Sequence, residues 1–404
     1  MTLPSLKIRK THIPVPIIQG GMGLGLSNYT LAGAVGREGG LGVLSSAALD
    51  RIVSERHGRK LKAREAAAQD VRDAKELARG GAIGMNIMVA VINQYEDSVL
   101  GSMDGGVDVI ISGAGLPLAL PEIAKLHPRA DDVALVPIVS SGRATEIIFK
   151  RWSRSGRLPD ALVVEGPLAG GHIAWKKIEE ALDPANKLEN LLQEVFEVTK
   201  KWNHPIPVIA AGGIYSHEDI QNAIARGCAG VQMGTRFLAT FESGANEEYK
   251  RMLVECREED VELASRPGSP CGMLFRVLKQ SPFYQQALKR EREPKCDKGY
   301  LLNKGFCPSK YENEKTFCIC NGLLASINLN PKEKELYTVG HMVYRIDRIM
   351  SVHELMSELQ GLPVSAEAGS EPVLSSKVSA SSKVPSSVTP SVNPKRDSKE
   401  VNPN

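Results

Sequence analysis

The sequence is short of several things that would narrow its class at once. In its 404 residues no run approaches the roughly 18 consecutive apolar residues of a membrane-spanning helix, and residues 1–10 are basic without the apolar stretch of a secretory signal. Charge of one sign is scarce too: 50 Lys+Arg against 47 Asp+Glu leave +3, scattered along the chain, so nothing asks for nucleic acid. Seven cysteines, an odd number in a long chain without an export signal, fit reduced thiols better than a disulfide framework. These absences predict a soluble cytoplasmic protein with neither a membrane nor a nucleic-acid partner.

What the sequence holds is a repeat of short apolar runs, most ending in Gly, Ser, Asn or Pro. They cover residues 15–21, 41–46, 82–89, 107–113, 133–140, 161–166, 207–213 and 230–235. The segments between them are mostly helical in pattern, for example 64–79, 121–126, 144–152 and 217–226. Strand and helix alternating eight times predicts a parallel sheet closed into a (β/α)8 barrel, the TIM-barrel class, which takes about 250 residues. The competitor is an open doubly wound sheet, because Gly21-Met22-Gly23-Leu24-Gly25 looks like a dinucleotide fingerprint. Leu26 stands where that fingerprint needs its third glycine, and Ser45 and Ser46 stand where it needs an acid. These glycines are therefore assigned to a loop at the carboxyl face of the barrel.

The sixth run carries Val163-Val164-Glu165-Gly166-Pro167-Leu168-Ala169-Gly170-Gly171-His172. A β-branched strand breaks into small residues and ends on one imidazole, with Gly170 and Gly171 leaving bare backbone for a flat ligand to approach. Two readings follow: a residue poised over an opening, or a glycine turn with a surface histidine. The seventh and eighth runs end in Ala211-Gly212-Gly213 and Gln232-Met233-Gly234-Thr235, and Ser216 with Glu218 and Asp219 marks a helix start. Loops after strands seven and eight are where barrels of this class bind phosphate, which makes Gly212, Gly213, Gly234 and Thr235 candidates; the other reading is tight turns alone.

Together, Ile18-Gln19-Gly20-Gly21-Met22-Gly23, Gly84-Met85-Asn86, Ala169-Gly170-Gly171-His172, Ala211-Gly212-Gly213 and Gln232-Met233-Gly234-Thr235 resemble the nitronate monooxygenase family, formerly the 2-nitropropane dioxygenases. The resemblance covers about residues 13–280 and extends more weakly to about 360. It implies FMN as cofactor, with Gly21 and Met22 against the ring, Asn86 hydrogen-bonded to it and Gly171 as a backbone contact. The phosphate falls to Gly212, Gly213, Gly234 and Thr235. His172 matches the histidine that faces the flavin and handles substrate. Related FMN-dependent enoyl reductases and NADH:quinone reductases share the barrel, so the reaction is less tightly implied than the fold.

Departures and appendages remain. His172 is followed by Ile173-Ala174-Trp175, where the family often has Arg-Gly; Trp175 either walls the pocket or packs a helix start. Arg143 is either a cation beside the flavin or a solvated helix-start residue, and Met85 and Met88 are flavin-facing or core. Residues 247–262 are expected as a charged helix. Ser269-Pro270-Cys271-Gly272, with Arg276 beyond, forms a lid or an ordinary loop. Cys296, Cys307, Cys318 and Cys320, spaced C-x10-C-x10-C-x-C, either hold zinc or an iron–sulfur cluster or are free thiols in a lid; without C-x2-C spacing no metal is assigned to them. Residues 343–359 have a helical apolar spacing suited to docking, and the Ser- and Pro-rich tail from 363 is expected to be disordered.

The expected division is an FMN-binding barrel over 1–280, a Cys-bearing extension over 281–362 and a tail over 363–404. Three functions stay in play: oxidation of alkyl nitronates by O2, an NAD(P)H-dependent reductase acting on a quinone or an enoyl thioester, and a non-catalytic scaffold. All but the last act on a small molecule.

Overall fold

The computed structural model describes residues 3–291, 299–300, 307–311 and 315–363. Eight strands form a closed barrel: Ile17–Gln19, Leu41–Ser45, Ala82–Met88, Val109–Gly113, Ala134–Val139, Leu162–Glu165, Val208–Ala211 and Gly230–Met233. Every pairing is parallel, and the eighth strand closes on the first with Val231 opposite Ile17 and Gln232 opposite Ile18. The expected (β/α)8 barrel is thus the observed one.

The two-residue pleat decides what each strand offers. In the third strand Ile83, Met85 and Ile87 pack outward in the apolar layer beneath the helices, while Ala82 joins the barrel interior and Asn86 and Met88 reach the cavity above it. The interior is filled by residues such as Val43, Val109, Val136, Val163 and Ile209. A hairpin of Leu6–Ile8 and Thr11–Ile13 plugs the amino-terminal end, its Leu6, Ile8 and Ile13 entering the same cluster. Below, the barrel is a solid core; only the carboxyl end is open to chemistry.

Local signals explain the helices. Ala63–Ala78 is alanine-rich, Gly142–Arg154 is capped by Ser141, and His217–Ala225 starts with the reciprocal cap of Ser216 and Asp219. Leu188–Lys201 buries Leu191, Leu192 and Val195, each contributing about 1.5–3 kcal/mol by leaving water.

Two expectations are corrected. The charged helix stops at Glu255: the Asp260 carboxylate caps Arg257 N–H, and Val261–Ala264 becomes a strand. That strand pairs antiparallel with Phe275–Leu278, which pairs with Gly171–His172, making a three-stranded sheet over the barrel mouth. Of the 343–359 segment, only Val352–Leu359 is α-helical, started by Ser351; Val352, Leu355, Met356 and Leu359 dock it on the outer layer of the barrel. The described residues form one compact unit. The tail beyond 363 lies outside the described residues, as does Cys296. No helix among the described residues is long and apolar enough to cross a membrane.

Candidate active site

Strand ends and loops enclose a cavity of about 680 Å³ at the carboxyl face of the barrel, within the roughly 300–1,000 Å³ usual for small-molecule and cofactor sites. It brings together the nine residues that the family resemblance assigns to the flavin and to substrate. Gly21 and Met22 follow the first strand, Asn86 sits on the third, Gly171 and His172 follow the sixth, Gly212 and Gly213 the seventh, and Gly234 and Thr235 the eighth. Arg143, Met88 and Trp175 also line it, whereas Met85 is core. Trp175 is both wall and packing, being buried against the outer layer while bordering the cavity.

Backbone geometry shows why these positions are glycine. Gly212 and Gly213 both have φ of +88°, a left-handed conformation that turns the chain sharply off its strand. Their amides, with that of Gly234, have no main-chain partner among the described residues. At Gly21 the reason is close approach, since a Cβ would stand 2.2 Å from Asn86 Cβ. The Thr235 hydroxyl accepts from Gly340 N–H at 2.8 Å, tying the eighth-strand loop to the extension.

Three polar side chains rise from the barrel interior to the cavity: Asn86, Glu165 and Gln232. Register places Glu165 and Gln232 on either side of Ala211. Gln232 Oε1 is buried without a hydrogen-bond partner, and burial pushes the Glu165 carboxyl up to about 7. Neither residue was given a role from the sequence. Glu165 stands in a motif there, but its desolvation comes from strands far away in the chain.

His172 sits on the short strand paired with Phe275, their ring centroids 4.7 Å apart at 63°. It borders the cavity half-buried, and burial lowers it to about 4, so the imidazole is neutral at physiological pH. The 269–272 segment reaches it directly: His172 Nε2 lies 2.6 Å from Ser269 Oγ and 3.3 Å from Cys271 Sγ. The contact spans 97 residues of sequence. Arg276 turns away from the cavity side, buried, and donates to the carbonyls of Pro167 (2.8 Å) and Ala169, so it braces the loop that carries His172.

The extension supplies more wall. Cys320, on helix Ile319–Ala325, borders the cavity; Cys307 and Cys318 are buried. Among the described residues no group of three or more His, Cys, Asp or Glu is placed to hold a metal.

Comparison with known proteins agrees with this geometry. The nitronate monooxygenase family profile matches residues 4–361. The chain belongs to the nitronate monooxygenase family. That family is one of flavin-dependent oxidoreductases. A curated relative described as "Probable nitronate monooxygenase" from Staphylococcus saprophyticus is 30% identical over 181 residues, covering 43% of this chain and 47% of the relative, so the match spans about half of that protein. One of the same description from Staphylococcus aureus is 26% identical over 281 residues, covering 61% and 71%. FabK from Thermotoga maritima superposes with a TM-score of 0.62 at 27% identity, over 86% of this chain and 92% of that one. Nitroalkane oxidase from Streptomyces ansochromogenes, at 21% identity and a TM-score of 0.60, over 86% and 95%, shares the fold.

The residues present fit a flavin. The cavity has the volume, unpaired main-chain amides at one end, a floor with an orphaned Gln232 Oε1, and a glycine-bared entrance beside Asn86.

Proposed function

We propose that this protein is an FMN-dependent nitronate monooxygenase, oxidising alkyl nitronates with O2 to a carbonyl compound and nitrite. The observation that carries the reading is that His172 and the glycine loops at 212–213 and 234–235 open onto one cavity.

Bound FMN would supply the electron transfer. The remainder is work for this chain. The amides of Gly212, Gly213 and Gly234, with Thr235, would hold the phosphate; Gly21, Met22, Asn86 and Gly171 would lie along the ring. Glu165, its carboxyl raised by burial to about 7, can in its protonated form donate a hydrogen bond to an acceptor on the cavity floor. His172, neutral above about pH 4, can take the proton from a carbon next to a nitro group. Trp175, Met88 and Phe275 are apolar walls that limit water around that transfer. The functional division is then a barrel over 1–280 that binds FMN, an extension over 281–362 that walls the site, and a tail after 363. The implied partners are a small nitro compound and O2, in the cytoplasm, without membrane or nucleic acid.

The test is to load the protein with FMN, supply a preformed alkyl nitronate in air, and follow O2 uptake and nitrite. Nitrite formed in step with O2 uptake supports the reading; intact nitronate contradicts it. A second reading, an NAD(P)H-dependent reductase of a quinone or an enoyl thioester, is favoured by the FabK likeness over 86% of the chain. It predicts that NADH bleaches the flavin without oxygen, and that a nitronate does not.

A further inference from the structure

The side chain of His172 has two nitrogens, and the structure treats them differently. Nε2 faces away from the cavity, into Ser269 Oγ at 2.6 Å and Cys271 Sγ at 3.3 Å, and neither of those residues lines the cavity. Nδ1 has no hydrogen-bond partner among the described residues. Ser269 is 2% exposed, and it sits on the connection between Val261–Ala264 and Phe275–Leu278, the strands that complete the sheet begun by Gly171–His172. Backbone pairing therefore brings the connection that carries the serine to the strand that carries the imidazole.

Accounting for the serine hydroxyl assigns the proton. Oγ has one hydrogen to give and two lone pairs to receive with. Cys271 N–H donates to it at 3.3 Å, which occupies one lone pair. The hydroxyl hydrogen has Cys271 Sγ as its acceptor, also at 3.3 Å. The remaining lone pair meets His172 Nε2 at the shortest of the three distances, 2.6 Å, and an N–H there fills it while the hydroxyl hydrogen stays on the sulfur. The opposite arrangement sends the serine proton to Nε2 and leaves the second lone pair a thiol S–H, a weak donor.

We propose that Ser269 is a positioning residue that holds His172 in the Nε2–H tautomer, so that Nδ1 is the proton acceptor presented to the ligand. This rests on the nitronate monooxygenase reading for its chemical purpose but not for its structure. The step it supports moves one proton: the C–H bond beside the nitro group breaks, its electron pair stays on the nitronate, and the proton bonds to Nδ1. Nε2–H remains donated to Ser269 Oγ throughout, which helps carry the positive charge that the ring gains. Cys271 supports the serine from the other side and is not a proton acceptor in the step.

The experiment is nitrogen NMR of the full chain labelled with ¹⁵N-histidine, with His172→Asn used to assign the ring signals. In the wild type Nε2 is expected in the protonated range and Nδ1 in the unprotonated range. Ser269→Ala should mix the two tautomers, Ser269→Thr should restore the first, and Cys271→Ala should keep it. In the FMN-loaded enzyme Ser269→Ala should slow turnover of neutral nitroalkanes by about tenfold, a fraction of the 10²–10⁴ that a general base supplies, with less than about threefold loss on preformed nitronates. A wild-type spectrum showing Nδ1 protonated overturns the proposal without any variant, as does a Ser269→Ala spectrum identical to wild type. If no nitronate is oxidised, the functional reading fails while the tautomer is still measured.

Discussion

His172 and Phe275 are partners twice over, opposite each other in an antiparallel pair and in edge-to-face ring contact at 4.7 Å. The imidazole thus owes its place to a strand more than a hundred residues downstream as well as to the barrel strand before it. Phe275 itself is 2% exposed and packs on Phe317. Replacing Phe275 with Leu should cost about 1–2 kcal/mol of stability, from the lost ring contact and partial cavity. It should also slow nitroalkane oxidation more than it weakens FMN binding. Equal losses in both would show that Phe275 supports the whole cavity and not His172 in particular.

His172→Asn keeps a polar side chain of similar size but removes the base. Flavin binding should persist, and oxidation of neutral nitroalkanes should fall by about 10²-fold or more, while preformed nitronates, which need no base, lose far less. Stopped-flow rates with each substrate form check this, and full activity on both would refute the assignment.

Glu165 and His172 respond to pH with opposite signs. A carboxyl raised to about 7 keeps its proton in the fold after the unfolded chain has lost it, so stability is present below the unfolded value of 4.5 and is lost as pH rises towards 7. An imidazole lowered to about 4 costs stability as pH falls from 6.5 towards 4. Glu165→Gln should therefore raise the melting temperature of flavin-free protein at pH 8 relative to wild type, by up to about 2–3 kcal/mol of stability. That advantage should shrink towards pH 5. A constant difference across pH would mean that the Glu165 carboxyl titrates normally.

Gly213 carries a left-handed φ of +88°, and an added Cβ would meet Leu168 Cδ1 at 3.0 Å. Gly213→Ala should pay roughly 1–2 kcal/mol in backbone strain or swing its amide out of the cradle. FMN affinity should drop about tenfold, as measured by quenching of flavin fluorescence, with little change for riboflavin, which has no phosphate to lose. An equal drop for both ligands would place the phosphate elsewhere.

Much of this site was legible because barrel strands announce their ends. A β-branched run followed by Gly-Gly, as at Val208–Ala211 before Gly212, marks both the strand and the bare loop beyond it, and counting such runs gave the barrel. Other parts were hidden for physical reasons. The strand holding His172 is two residues long and has no period to detect. Val261–Ala264 continues an apolar-polar pattern that suits a helix or a strand, so the sequence pattern runs past the true end of the charged helix at Glu255. The unpaired state of Gln232 Oε1 and the desolvation of Glu165 arise from three-dimensional neighbours, and Ser269 meets His172 only because a three-stranded sheet brings the 269–272 segment back to it.

The central claim is that the loops at 212–213 and 234–235 grip the phosphate of a flavin that lies beneath His172. Equilibrium titration of flavin-free protein with FMN and, separately, with riboflavin tests it most directly. The account predicts saturable one-to-one binding of FMN, tighter than riboflavin by about tenfold or more, as anion contacts to unpaired amides require. Equal affinity for the two flavins, or no saturable binding of FMN, would contradict it.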